Sequence, residues 1–174
     1  NQSENKSVSN VQQVLSEQLQ LPDGNTLTQT SEKTDELGFV HKEYEQYYKN
    51  VKVEFSSSKV HAKEGTIISM SNNIFRIKDL SVTPQVSNSQ AFNRALNHVG
   101  ATEYLWENSS EAQLAEDYSR PSGDLVVFPV IDNVTTTSRL AYKFDIYATN
   151  PVYRADVYID AVSGEFLMDN KRIH

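Results

Sequence analysis

The sequence predicts an α+β protein: two β-rich modules, each an antiparallel sheet with helices on one face, preceded by a short N-terminal helix. Val51, Val53 and Phe55 alternate with Lys52 and Glu54, as in a half-buried strand. Similar alternation runs through RLAYKFDIYA (139–148) and RADVYIDA (154–161). Between these regions, SNSQAFNRALNHVG places its apolar residues at helical spacing. At 174 residues the chain can form one domain, or two small ones, around a real core.

Val8, Val11, Val14, Leu15 and Leu19 recur with helical period, which predicts a helix over 8–20. Pro22-Asp23-Gly24-Asn25 stops it, since proline cannot continue a helix and glycine suits a turn. Residues 25–36, mostly Thr, Ser, Gln and acids, read as an extended connector with little core. From 38 to 78 the pattern turns to β. Val40, Lys42, Tyr44, Gln46 and Tyr48 share one parity and Phe39, His41 and Tyr47 the other, so both faces are mixed. Lys63-Glu64-Gly65 predicts a turn into TIISMS, and Asn72-Asn73 another into a strand at IFRI.

After Thr83-Pro84, Ser87 or Ser89 can cap a helix whose apolar stripe is Ala91, Phe92, Ala95, Leu96 and Val99. Gly100 suits its C′ position. A second helical stretch is expected over about 103–118, interrupted near Asn108-Ser109-Ser110, with Trp106 covering the edge of the core. Strands follow at 124–131, 139–148 and 154–161, closed by a short EFLM (165–168). Asp160 to Gly164 has the form of a hairpin loop whose glycine takes positive φ. Tyr142, Phe144, Ile146, Val157 and Ile159 fall on matching parities and are expected in the core.

Composition narrows the function. A net charge of −7 argues against nucleic acid as partner, since phosphate binding needs a basic surface. No apolar run approaches the roughly 18–20 residues of a membrane span. Cysteine is absent, which rules out disulfides and thiol catalysis. The six glycines are scattered singly, so there is no phosphate loop, and neither HExxH nor G-x-S-x-G occurs. Glu103 and Glu107, an acidic i, i+4 pair, read as a solvated face. His41 and His61 can approach across paired strands. A hydrogen-bonded structural histidine is the reading preferred to a metal site there, and no metal ligand is assigned. No catalytic set is defensible.

The stretch DELGFVHKEYEQYYKNVKV (35–53) resembles the fungalysin/thermolysin propeptide motif. Leu37, Gly38, His41, Tyr44, Gln46, Tyr48, Lys49, Val51 and Val53 stand in register with it. Downstream, LAYKFDIY (140–147) and DVYIDAVSGEFL (156–167) resemble the PepSY domain that follows this motif in zinc metalloprotease precursors. The segment 104–118, with DLVVFPV and LAYKFDIY after it, resembles vibriolysin-like pro-regions more than that of thermolysin itself. The chain departs from the motif at Glu43 (arginine), Glu45 (glutamine), Asn50-Val51-Lys52-Val53 (Gly-x-Pro-Val) and Ser56-Ser57 (often Gly-Gly).

The resemblance implies three segments: 1–34, helix and connector; 35–80, propeptide-motif module; 82–174, PepSY-like module. It implies a non-catalytic pro-region that inhibits its protease in cis, aids its folding and is removed by proteolysis. The partner would be the cognate catalytic domain, which would hold the zinc; this chain would need no cofactor. The chain would be monomeric and secreted or on the cell surface, its signal peptide removed. Family pro-regions end in a strand-like tail that enters the catalytic cleft, which implies an inhibitory tail and maturation junction at Asn170, Lys171, Arg172, Ile173 and His174. A free-standing PepSY-type inhibitory module is the alternative, and a small hydrolase a third reading.

Overall fold

The computed structural model describes residues 17–108, 110, 111, 118–131 and 137–172. The chain divides into two compact units: Asn1–Leu80 with Val127–Ser138, and Ser81–Val126 with Arg139–His174. Among the described residues, two antiparallel sheets and few helices make the fold α+β.

The first unit holds strands β1 (Asn25–Thr34), β2 (Phe39–Tyr48), β3 (Val51–Lys52), β4 (Ser57–Lys63) and β5 (Thr66–Asn73). Their order is β1-β2-β4-β5, with β3 on the end of β2. The links are tight turns. Lys49 and Asn50 (φ 46° and 66°) join β2 to β3, and Glu64 and Gly65 (φ 52° and 78°) join β4 to β5. Two successive positive φ values give the turn twist that matches the strands they join. Leu27, Tyr44 and Val60 form the buried cluster on the inner face, covered by Leu19, Leu21, Ile67, Met70 and Ile74.

Three expectations for this unit change. The connector at 25–36 is strand over Asn25–Thr34, paired from Asn25↔Tyr48 to Thr34↔Val40. Its polar residues stay outside while only Leu27 is buried, so backbone pairing rather than apolar alternation holds it. The strand at 51–55 ends at Lys52, because Phe55 turns into the left-handed region (φ 64°). Residues 74–77 form no strand; a side chain takes the place of a neighbouring backbone there. Of the helix expected over 8–20, residues 17–19 are helical, and Val8, Val11, Val14 and Leu15 lie outside the described residues.

The second unit holds helix α1 (Asn88–Val99) and strands β6 (Glu103–Tyr104), β8 (Arg139–Asn150), β9 (Val152–Asp160) and β10 (Phe166–Lys171). Strand β7 (Asp124–Phe128) pairs with β8 and carries the chain from this unit into the first. The remaining order is β10-β9-β8-β6. Ser87 caps α1 and forms a capping box with Gln90, while Gly100 ends it at φ 64° with its N–H donated to the Leu96 carbonyl. The helix buries Ala91, Phe92 and Ala95. Tyr142, Phe144, Ile146, Val157 and Ile159 are all buried, with Tyr142↔Ile159 and Phe144↔Val157 paired across the strands. Gly164 has φ 79°, and the Asp160 carboxylate accepts from the Val162 and Ser163 amides at 2.8 and 2.9 Å. In place of a helix from 103, Glu103–Tyr104 is a short strand and Leu105–Glu107 a 3-10 turn, with Trp106 stacked on Tyr104 at 4.5 Å.

Candidate functional site

Gly38 closes the β1–β2 turn at φ 85°. Asp35 organises that turn, its Oδ1 accepting the Leu37 and Phe39 amides at 2.9 and 3.0 Å. Its Oδ2 accepts from His41 Nε2 at 2.9 Å. That hydrogen bond, together with the two amides, holds the Asp35 carboxyl below its ordinary value despite some desolvation. His41 also meets His61 through Nδ1, across β4. His61 therefore meets His41 across the paired strands, as expected, and Asp35 joins them from the turn, where no sequence signal named it.

The other motif residues face inward. Tyr44 and Tyr48 are buried, and Gln46 is wholly so. Burial raises the Tyr44 hydroxyl pKa, helped by the Glu32 carboxylate. Gln46 Nε2 donates to Asn25 Oδ1 at 2.7 Å and to the Phe75 carbonyl at 2.6 Å, and its Oε1 accepts the Phe75 amide at 2.9 Å. Asn25 in turn donates to the Ile77 carbonyl at 2.7 Å. Tyr48 accepts the Leu80 amide through its hydroxyl at 3.3 Å. Tyr44, Gln46 and Tyr48 are thus internal fasteners, the last two fixing residues 75–80. The departures from the motif fit this backbone. Asn50 takes the left-handed conformation that glycine would provide, which asparagine tolerates better than most residues. Glu43 and Glu45 form ion pairs with Lys59 and Lys52 at 3.9 and 3.6 Å.

The C-terminal segment belongs to the second unit. Asn170 and Lys171 lie in β10, opposite Asp156 and Ala155. Arg172 continues the attachment: its amide donates to the Arg154 carbonyl at 3.0 Å, and its guanidinium reaches Asp156 at 2.7 Å and Asp145 at 3.4 Å. Ile173 and His174 lie outside the described residues. Upstream, the Asp169 carboxylate accepts from the Tyr153 hydroxyl at 3.0 Å and pairs with His98 at 3.5 Å, while His98 stacks on Phe166.

Arg172 borders a polar cleft of about 500 Å³ with Tyr118, Lys143, Asp145, Arg154 and Asp156 among its walls. Arg154 holds Asp145 through Nε and Nη2 at 3.2 and 3.0 Å, flanked by the Tyr118 and Tyr147 rings. Burial drives the Tyr118 hydroxyl pKa well above its ordinary value; that hydroxyl donates to the Asp145 carbonyl at 2.9 Å. Asp145 and Asp156 oppose each other across β8 and β9, so the two arginines offset a like-charge pair. No motif in the sequence signals this arrangement; only the strand register creates it.

Residues 25–74 match the Fungalysin/Thermolysin Propeptide Motif family. No curated protein matches the chain. Among solved structures, the Bacillus megaterium YpeB C-terminal domain is similar at 15% identity and TM-score 0.44, over 94% of this chain and 62% of that one. A candidate lipoprotein from Clostridium difficile 630 is similar at 12% identity and TM-score 0.31, over 97% of this chain and 94% of that one. At these values neither likeness bears on function. The part of the chain that matches the fungalysin/thermolysin propeptide motif family thus runs from β1 to just past β5 of the first unit, with the turns that join these strands.

Proposed function

We propose that this chain is the pro-region of a secreted, thermolysin-like zinc metallopeptidase, close to the vibriolysin type, and that it acts on its own catalytic domain as inhibitor and folding aid. The propeptide-motif match over residues 25–74 carries the reading. The chain itself is not an enzyme; the zinc belongs to the catalytic domain. A surface that binds the native catalytic domain but not its unfolded chain stabilises the native state by mass action. The same surface can block the cleft until proteolysis removes it. The second unit, on this reading, is a PepSY-like module, the pro-region is monomeric, and segment 170–174 is the inhibitory tail and maturation junction. Among the described residues no helix is long and apolar enough to cross a membrane.

The test is inhibition of the cognate catalytic domain by this chain in trans, together with the yield of active enzyme on refolding. Two deletions separate tail from scaffold. Removing 173–174 leaves Arg172 and its carboxylate partners in place, whereas removing 169–174 also strips the end of β10 and the Asp169 pair. Both should weaken inhibition more than tenfold, about 1.4 kcal/mol, and only the longer deletion should lower the melting temperature. Unchanged inhibition by the shorter chain would move the inhibitory contact off the tail. No inhibition by any form at micromolar concentration would overturn the inhibitory role. The alternative, a free-standing inhibitory module, requires a stop codon after the PepSY-like unit where the first reading requires HExxH.

A further inference from the structure

His41 and His61 face each other on β2 and β4, with ring centroids 4.7 Å apart in an edge-on arrangement. Their Nδ1 atoms are in direct contact. On the far side of His41, Nε2 meets Asp35 Oδ2 at 2.9 Å. A carboxylate only accepts, so the network assigns the Nε2–H tautomer to a neutral His41 and turns its Nδ1 lone pair toward His61. In the metal-free chain His61 Nδ1–H donates to that lone pair; moving the His61 proton to its own Nε2 leaves two imidazole lone pairs aimed at one point. We propose that His41 and His61 form a binding site for a borderline divalent transition-metal cation, of which Zn²⁺ is the type, with Asp35 as the positioning residue for His41.

The chemistry suits that class. Imidazole nitrogen is a preferred donor for zinc, nickel and copper, whereas calcium and magnesium take oxygen. A carboxylate on the outer nitrogen of a ligating histidine is the usual device for orienting the ring. Two nitrogens around a tetrahedral ion stand roughly 3.3 Å apart, so the rings need to open only slightly from contact. Among the described residues no group of three His, Cys, Asp or Glu converges on one point, so the described residues supply two ligands. The His41 side chain is 37% exposed, which lets water complete the shell.

The surroundings temper the affinity. Lys33 lies opposite His41 on β1, and Ser69 opposite His61 on β5. Along β4, the Lys63 ammonium sits over the Phe39 ring at 4.8 Å, and Lys59 pairs with Glu43. Asp35 and Glu43 favour a cation and the three lysines oppose it, which fits a labile site rather than a permanent one. Because the ligands come from neighbouring strands, the ion would cross-link β2 to β4 and stabilise the folded unit by linkage.

The experiment titrates Zn²⁺ into the full chain at neutral pH, following ion uptake and the imidazole ¹⁵N signals. The expected result is one Zn²⁺ per chain, with the Nδ1 signals of His41 and His61 shifting and that of His98 unmoved. His41→Ala and His61→Ala should each weaken uptake at least tenfold, and Asp35→Asn by roughly tenfold, while Ca²⁺ moves none of these signals. If saturating Zn²⁺ leaves the His41 and His61 rings of the wild-type chain unshifted, the site does not exist, however the variants fold. Equal uptake by wild type and both alanine variants would overturn it as well.

Discussion

Substitution of Gly123 by alanine tests the packing of the second unit where a glycine lies against its core. A Cβ built on Gly123 would lie 2.7 Å from Phe144 Cε1 and Cζ, and 3.1 Å from Asn88 Nδ2. Phe144 is fully buried and contacts Phe92 and Tyr142 at ring distances of 5.4 and 6.2 Å, so its ring has little room to retreat. Asn88 also clasps the glycine backbone, donating to its carbonyl at 2.8 Å and accepting its amide at 3.1 Å. Overpacking a core costs about 1–3 kcal/mol, and losing one of the clasp bonds adds about 1 kcal/mol. Gly123→Ala should therefore destabilise the unit by about 2–4 kcal/mol. Trp106, the chain's one tryptophan, lies in this unit, so urea unfolding followed by its fluorescence reads the loss directly. Shrinking the obstruction with Phe144→Leu should cost less in the Gly123→Ala background than in wild type, a coupling of at least about 0.5 kcal/mol. A loss below about 0.5 kcal/mol, or strict additivity of the two changes, would refute the steric argument.

Two further outcomes follow from buried polar groups. Gln46→Leu leaves the Phe75 amide, the Phe75 carbonyl and Asn25 Oδ1 without the amide that now serves them, each loss costing about 1–3 kcal/mol; hydrogen exchange at Phe75 should accelerate sharply, and unchanged protection would remove Gln46 from its fastening role. Burial alone would raise the Asp160 carboxyl pKa, but the Ser163 and Val162 amides and the Arg139 guanidinium bring it below its ordinary 3.8. A depressed folded-state value adds stability above the ordinary pKa and loses it as pH falls through the folded one. The stability gap between wild type and Asp160→Asn should thus be full at neutral pH and close in the range below about pH 4, and a gap independent of pH in acid urea melts would contradict it.

Local rules carried much of the fold. The capping box at Ser87 and Gln90, the C′ glycine at 100 and the Glu64-Gly65 turn are written in adjacent residues and are found as expected. The parity of Tyr142, Phe144 and Ile146 likewise located the core face of β8. Failures arose where a distant group replaced a local signal. Phe75 looks like strand, yet the Gln46 side chain satisfies both of its backbone groups and no neighbouring strand is needed. Strand β1 looks like linker because its polar outer face hides a ladder visible only from β2. Of the candidate site, the motif placed His41, and its approach to His61 across paired strands was legible in the sequence; Asp35, held in the β1–β2 turn, was not, and the basic residues at 171 and 172 gave no hint of Asp145 and Asp156. Those partners meet through strand register, which short sequence patterns do not encode.

The passage of β7 between units bears on the order in which the molecule can be made. Val53 forms a lone parallel bridge to Val127, Glu54 donates its amide to the Val127 carbonyl at 2.9 Å, and Phe55 meets Phe128 edge to face. A nascent chain that has emerged from the ribosome as far as residue 80 carries every strand of the first sheet but none of these partners. Helix α1 and β6 must be synthesised before they arrive. The earlier half of the protein therefore waits, with one flank open, for a stretch translated nearly fifty residues later, and a gene cut at residue 80 would release it in that unfinished state.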